Sequence, residues 1–326
     1  MAWNYTESVN STVQVGSGVQ LLDAGTAALY TAGLDSAKDM YAKTPQEGSK
    51  YFTTRSVDKN NYKSQKVHSV GLAEVNSDLD ELPLDKQQMG FDQTISNFVI
   101  RKAMAIGREA LETDRHGVIG KHARNLIHSG AKTLEFIWAD AFNRGFGTAT
   151  PVTGSSTSNL SLLCEDGLAL FSGERPQARA SAGAWSNLRT AGALTADSVA
   201  AARVSLNTYI DGNGDLDPQM LEKVIVSPDL ADTMDEISNT SLKVDTSLNT
   251  TNVVSGTPYD VWHWLTSGTI IFCGDGENEL EFHVRKNPET KTWEDGSNPD
   301  RINSRLYMAV GTGCFRPGKF IGQKTS

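Results

Sequence analysis

The chain has 326 residues, a formal net charge of −9, and 38% apolar and 21% charged side chains, ordinary values for a globular protein long enough to bury a substantial core in one to three domains. The acidic balance argues against a protein that wraps duplex DNA by neutralising phosphates along a basic face, and no apolar run approaches the roughly 20 residues of a membrane-spanning helix. Three cysteines, Cys164, Cys273 and Cys314, are odd in number and far apart in sequence; they offer neither a disulfide framework nor a CxxC zinc site and read as reduced, semi-buried thiols.

The first twenty residues, MAWNYTESVNSTVQVGSGVQ, are polar and read as an arm with no core of its own. They lack the basic start and apolar centre of a secretory signal, so the chain is expected to be made in the cytosol and used there or released by lysis. From Leu21 to Tyr41 apolar residues recur but are interrupted by Gly25 and Gly33, which predicts one or two short helices. Over residues 49–107, YKSQKVHSVGLAEV alternates, SDLDELPLDKQQMG makes an acidic tip and TISNFVIRKAMAIG returns; this predicts a long hairpin. Ile119, Ala123, Leu126, Gly130, Leu134, Ile137 and Ala141 form an i, i+3/i+4 stripe, so a long amphipathic helix should end near Gly145.

The Ser/Thr/Gly stretch TATPVTGSSTSNLS then marks the best domain boundary. A helix is predicted from Leu194 to Tyr209, with Thr195 at the cap, Asp197 in the first turn and Val199, Ala202, Leu206 and Tyr209 facing inward. KVIV reads as a short buried strand. SPDLADTMDEI starts a helix with Ser227 as cap, Pro228 at its first position and Leu230, Met234 and Ile237 on its apolar face. The C-terminal third is mostly strand: GTIIFC, then ELEFHVRK with Leu280, Phe282 and Val284 alternating against Glu281, His283 and Arg285, then SRLYMAVGTGCFRPGKFIG. A helical middle between strand-rich flanks implies an α+β fold.

Catalytic and metal chemistry has few candidates. In YIDGNGDLDPQMLEK, Asp211, Asn213, Asp215, Asp217 and Glu222 take the first, third, fifth, seventh and twelfth places of a calcium loop. The sixth place, which wants glycine for a sharp turn, is Leu216, so the spacing breaks where geometry is strictest. Gly313 to Phe320 follows a phosphate-loop pattern except at its last place, where Phe320 cannot ligate magnesium, and a strand with a turn is the better reading. His116, His122 and His128 are evenly spaced, but six helical residues turn through roughly 600°, so successive rings point about 120° apart and cannot share a metal. His68, His263 and His283 lack Cys or His neighbours at ligand spacing, and no catalytic motif such as GxSxG or HExxH occurs. Acidic runs at Asp78 to Glu81 and Asp232 to Glu236 read as solvated surface. Trp262 and Trp264 alternate with His263, which places both indoles on one side of a strand as core packing.

Taken in order, the arm, hairpin, long helix, linker, DGLALFSGERP, YIDGNGDLDPQMLEKVIVSPDLADTMDEI and the closing WHWLTSGTIIFC and SRLYMAVGTGCFRPGKFIG resemble tailed-bacteriophage major capsid proteins, closest to the Mu-like major head subunit. REALETDRHGVIG, DGLALFS and LEKVIVSPDLADTM are the more telling pieces, and the resemblance runs from about residue 20 to the C-terminus. It implies the Hong Kong 97-like fold, with residues 1–48 as N-terminal arm and short helices, 49–107 as E-loop hairpin, 108–150 as P-domain with spine helix, 151–277 as A-domain and 278–326 as P-domain C-terminal strands.

By this resemblance the chain is no enzyme and needs no cofactor; Asp211 to Asp217 become a solvated turn near a capsomer axis, with calcium as the alternative. The partners implied are copies of the chain itself, as homopentamers and homohexamers forming an icosahedral shell, with a portal and possible decoration proteins. The shell encloses double-stranded DNA without sequence-specific binding, is assembled in the host bacterial cytoplasm and is located in the virion. Only some twenty polar residues precede the first predicted helix, so a separate scaffolding protein is expected and the chain should stay essentially full length. Lys86 lies at the E-loop tip, but nothing identifies a crosslinking partner. The alternatives are an encapsulin-like nanocompartment shell protein and, in another class, a soluble calcium-binding module or hydrolase.

Overall fold

The computed structural model describes residues 46–67, 72–73, 75, 89–107, 109, 118–147, 163–176, 184–211, 214–243, 250–295, 298–315 and 317–325. The expected arm and short helices, most of the acidic hairpin tip with Lys86, and the whole Ser/Thr linker lie outside them, as do His68, His116 and Asn213.

Four strands come first, β1 (Thr53–Ser56), β2 (Asn61–Val67), β3 (Met89–Ser96) and β4 (Phe98–Gly107), followed by helix α1 (Val118–Asn143). The short strands β5 (Arg175–Pro176) and β6 (Ala184–Trp185), helix α2 (Ala196–Asn207), β7 (Leu221–Val226) and α3 (Ala231–Asn239) come next. The chain continues through β8 (Tyr259–Val261), β9 (Thr269–Gly274), β10 (Leu280–Asp295), β11 (Asn298–Cys314) and β12 (Phe320–Lys324). One sheet has the order β1-β10-β11-β4 and another β12-β9-β7-β8, while β2-β3 and β5-β6 form two-stranded pairs. The fold is therefore α+β.

Two compact units are present. Among the described residues, one takes Asn97–Phe136 and Val284–Val310; the other takes Gly48–Ser96, Ile137–His283 and Gly311–Ser326. In the first unit β4 pairs antiparallel with β11, from Arg301 opposite Gly107 to Val310 opposite Phe98. The return limb read from the sequence thus divides at Asn97: Met89–Ser96 pairs with β2, and Phe98–Gly107 pairs with β11. Along α1 the apolar stripe is buried at Leu126, Ile127, Ala131 and Leu134 in this unit and at Ile137, Trp138, Ala141 and Phe142 in the other, as helical periodicity requires.

The second unit is built around β7 and β9. Val224 to Val226 and Ile270 to Cys273 are completely buried, which explains runs of apolar residues where a half-exposed strand would alternate. Helices α2 and α3 cover this sheet through Val199, Ala202, Leu206, Met234 and Ile237. The α2 start is a capping box: Thr195 Oγ1 accepts from the Ser198 amide at 3.1 Å, and Ser198 Oγ accepts from the Thr195 amide at 3.0 Å. Before α3, Pro228–Leu230 form a single 3₁₀ turn, so the α-helix opens at Ala231 rather than at Pro228. Asp229 there accepts hydrogen bonds from Ser267 Oγ (2.8 Å) and the Gly268 amide (3.0 Å).

Three sequence expectations are corrected. Trp262 and Trp264 do not share a strand face: β8 ends at Val261, the chain turns, and Trp262 is 1% exposed whereas Trp264 is 37% exposed. The start of β10 does not alternate between core and solvent, because Leu280 through Val284 are all buried, Glu281 and His283 included; the cause is described below. Finally, Cys164 and Cys314 are not separate thiols. They form a disulfide with Cα atoms 4.6 Å apart across 150 residues, since an isolated parallel bridge sets the two positions side by side. Cys273 is free and buried.

Candidate assembly surface

The two-stranded hairpin β2-β3 belongs to the second unit and carries exposed apolar side chains. Its register runs from Asn61 opposite Ser96 to Gln65 opposite Asp92, with an irregularity before Val67 opposite Met89. Lys63 and Asp92 form a surface ion pair at 2.5 Å. Towards the tip, Met89 is 59% and Phe91 40% exposed, and Leu72 and Val75, from the segment joining the two strands, are 81% and 104% exposed. A lone hairpin is marginal in water, and clustered apolar side chains open to solvent mark a contact surface.

Its root is held firmly. Ile95 is 2% exposed and lies against Gly313, where an added Cβ would overlap Ile95 Cδ1 and Cγ1. Gln93 Nε2 donates to the Leu163 carbonyl at 2.8 Å. Tyr62 packs edge-on to His283, ring centroids 5.2 Å apart. His283 Nε2 and Glu281 Oε2 are 2.9 Å apart, and Arg55 Nε approaches Glu281 Oε1 at 3.1 Å. The second face of β10, which alternation assigns to water, is thus occupied by Tyr62 from the hairpin root and by the Arg55 side chain from the neighbouring strand β1. Sequence periodicity reports the presence of polar residues but not partners from far earlier in the chain, Arg55 and Tyr62, so it missed this cluster.

A second network follows the linker. The Arg175 side chain is 2% exposed. Its Nη1 pairs with Asp166 at 2.7 Å, Nε donates to Asn187 Oδ1 at 3.0 Å, and Nη2 donates to the carbonyls of Leu170 (2.7 Å) and Ala169. Nη2 also lies 3.7 Å from Cys164 Sγ. Asn187, fully buried, donates from Nδ2 to the carbonyls of Leu170 (2.7 Å) and Phe320 (3.2 Å). This satisfies buried polar groups that would otherwise be costly. DGLALFSGERP therefore contains a structural arginine that the sequence did not single out.

The calcium-spaced residues are only partly together. Asp211 Oδ1 accepts from the Asp215 amide at 2.9 Å, and an isolated bridge between Ile210 and Leu216 closes the turn. Glu222 instead stands on β7 and pairs with Lys319 at 3.1 Å. Leu216 and Met220 beside this turn are 66% and 71% exposed. Among the described residues no group of three or more His, Cys, Asp or Glu is placed to hold a metal ion, and no described helix is long and apolar enough to cross a membrane.

The architecture is the α+β Hong Kong 97-like fold found in phage capsid structures. The capsid of an empty GTA particle matches with a TM-score of 0.55 at 12% identity, over 98% of this chain and 100% of that one. A chain of Mycobacterium phage Patience matches with a TM-score of 0.55 at 11% identity, over 94% of this chain and 89% of that one. One of Microbacterium phage Oxtober96 does so with a TM-score of 0.53 at 12% identity, over 87% and 92%. No protein-family model and no curated protein matches the sequence.

Proposed function

We propose that the chain is the major capsid subunit of a tailed bacteriophage, of the Mu-like kind, and that it acts by self-association rather than catalysis. Pentamers and hexamers of it build an icosahedral shell around double-stranded DNA, with a separate scaffold, a portal and possible decoration proteins as partners. Assembly takes place in the host cytoplasm, and the product is a virion. The observation that carries the reading is the β2-β3 hairpin, fixed at its root by Ile95, Tyr62 and Gln93 yet presenting Met89 and Phe91 to solvent. Such a hairpin gains burial only against another molecule. Interfaces of obligate assemblies bury roughly 2,000–5,000 Å², and several per subunit make a closed shell far more stable than one pair. Net charge of −9 suits a container wall that must not retain its DNA. The Asp211–Asp217 turn is read as a solvated loop near a capsomer axis.

Electron microscopy of the protein expressed with its scaffold tests this. Closed icosahedral particles are the expected product, and a strictly monomeric or dimeric product overturns the reading. Particles carrying enzyme cargo in place of DNA would favour the encapsulin-like alternative.

A further inference from the structure

We propose that Cys164 is a peroxide-reactive thiol and Cys314 its resolving partner, so that the bond between them is a latch closed by oxidation. Three observations converge on this pair. The Cα atoms stand 4.6 Å apart, within the span a disulfide bridges without backbone movement. Both residues are almost inaccessible, at 4% and 6% exposure, so a large disulfide reagent is excluded while a small hydroperoxide is not. The Arg175 guanidinium, itself buried, directs Nη2 towards Cys164 Sγ at 3.7 Å, while Asp166 occupies Nη1. A guanidinium beside sulfur favours the thiolate, the reactive form. Among the described residues the hydrogen-bonded group at Cys314 Sγ is the Phe315 carbonyl, at 3.6 Å, and not a cation. A small cavity lined by Phe52, Leu170, Leu280, Thr312 and Cys314 adjoins it, and among the described residues the buried Thr312 hydroxyl there has no hydrogen-bond partner.

The chemistry balances with hydrogen peroxide as oxidant. The Cys164 thiolate attacks one peroxide oxygen, the O–O bond breaks, and hydroxide leaves to be protonated, giving a sulfenic acid and one water. Cys314 sulfur then attacks the Cys164 sulfur, the S–O bond breaks, and a second water departs. Two thiols and one peroxide become one disulfide and two waters. A bond closing 150 residues removes much freedom from the unfolded chain. Its timing rests on the capsid reading: thiols kept reduced in the cytosol become oxidised once lysis releases the particle, so the subunit is stiffened after assembly rather than before it.

The test uses the full-length chain, reduced and then treated with hydrogen peroxide, followed by intact mass and non-reducing peptide mapping. A loss of two hydrogens with a peptide linked through Cys164 and Cys314 is expected, Cys273 remaining unmodified. In Cys314→Ser, dimedone should trap a sulfenic acid at Cys164; in Cys164→Ser, trapping at Cys314 should be at least about 10-fold slower, in line with thiolate availability. In urea that difference should vanish, which separates the folded environment from intrinsic reactivity. The oxidised form should melt roughly 5–10 °C above the reduced one. Failure of the folded reduced chain to form the linked peptide overturns the proposal, and so does equal or faster oxidation at Cys314. These readouts need no shell: a chain that forms the bond but no particles refutes only the capsid reading, and a chain that forms particles but no bond refutes only the latch.

Discussion

Ile95 fills the volume that a side chain on Gly313 would need, so one residue of the projecting hairpin and one near the end of β11 are a matched pair. Gly313→Ala should cost about 1–3 kcal/mol through overpacking, and Ile95→Ala about 2–5 kcal/mol through the space it leaves. The double variant should lose less than the sum, by about 0.5–3 kcal/mol, because each change relieves the other. Urea unfolding of all four proteins measures this; strictly additive losses would show that the two do not touch.

Fold stability and assembly should separate at the outer part of the hairpin. Met89→Ser with Phe91→Ser removes side chains that are 59% and 40% exposed, so circular dichroism and unfolding midpoint should stay close to the parent, within about 0.5 kcal/mol. Particle yield by sedimentation should fall steeply if these side chains are buried between subunits. Undiminished yield would remove the hairpin from the list of contacts.

Asp260 gives a pH dependence. Burial pushes its carboxyl up, but hydrogen bonds from Lys223, Tyr51 and Lys50, with the charge of Lys223, outweigh burial and hold it below the ordinary carboxylate value. The three donors lie 3.1, 2.9 and 3.2 Å away. A depressed carboxyl contributes stability above its unfolded value and loses it as pH falls through the folded one. Asp260→Asn should therefore cost about 1–3 kcal/mol near neutral pH, with the gap to the parent closing below about pH 4. A gap that persists unchanged at pH 3 would show that packing, not charge, sustains the cluster.

Burial raises the Cys273 thiol to about 12, so the native chain should resist iodoacetamide at this position at pH 8. Urea should make it reactive. Prompt labelling of the folded protein would mean that β9 opens readily.

Local signals were legible in the sequence wherever a residue's partner is close in the chain or its period is regular. Thr195 caps α2 where it was expected, with Ser198 completing the box, the α1 stripe is buried from Leu126 onward, and KVIV lies inside its sheet. What stayed hidden depends on partners brought together by topology. Nothing near Glu281 or His283 in sequence announces Arg55 or Tyr62, and a separation of 150 residues conceals the proximity of Cys164 to Cys314. Arg175 drew no notice because its acceptors, the Asp166 and Asn187 side chains and the carbonyls of Ala169 and Leu170, form no motif that spacing reveals. The hairpin's return limb was read as continuous because β3 and β4 adjoin, and only the pairing with β11 divides them.

The position of β12 in the second unit has a bearing on synthesis. Phe320 and Ile321 are buried, β12 pairs along β9, and Asn187 donates to the Phe320 carbonyl, so a unit begun at Gly48 cannot close until residues 320–324 have been made. Ribosome-bound chains stalled before Phe320 should accordingly be cut rapidly by protease, and chains extended past Lys324 with a linker should resist. Until β12 arrives, the edge of β9 that it covers carries unpaired backbone groups, at which one incomplete chain can pair with another.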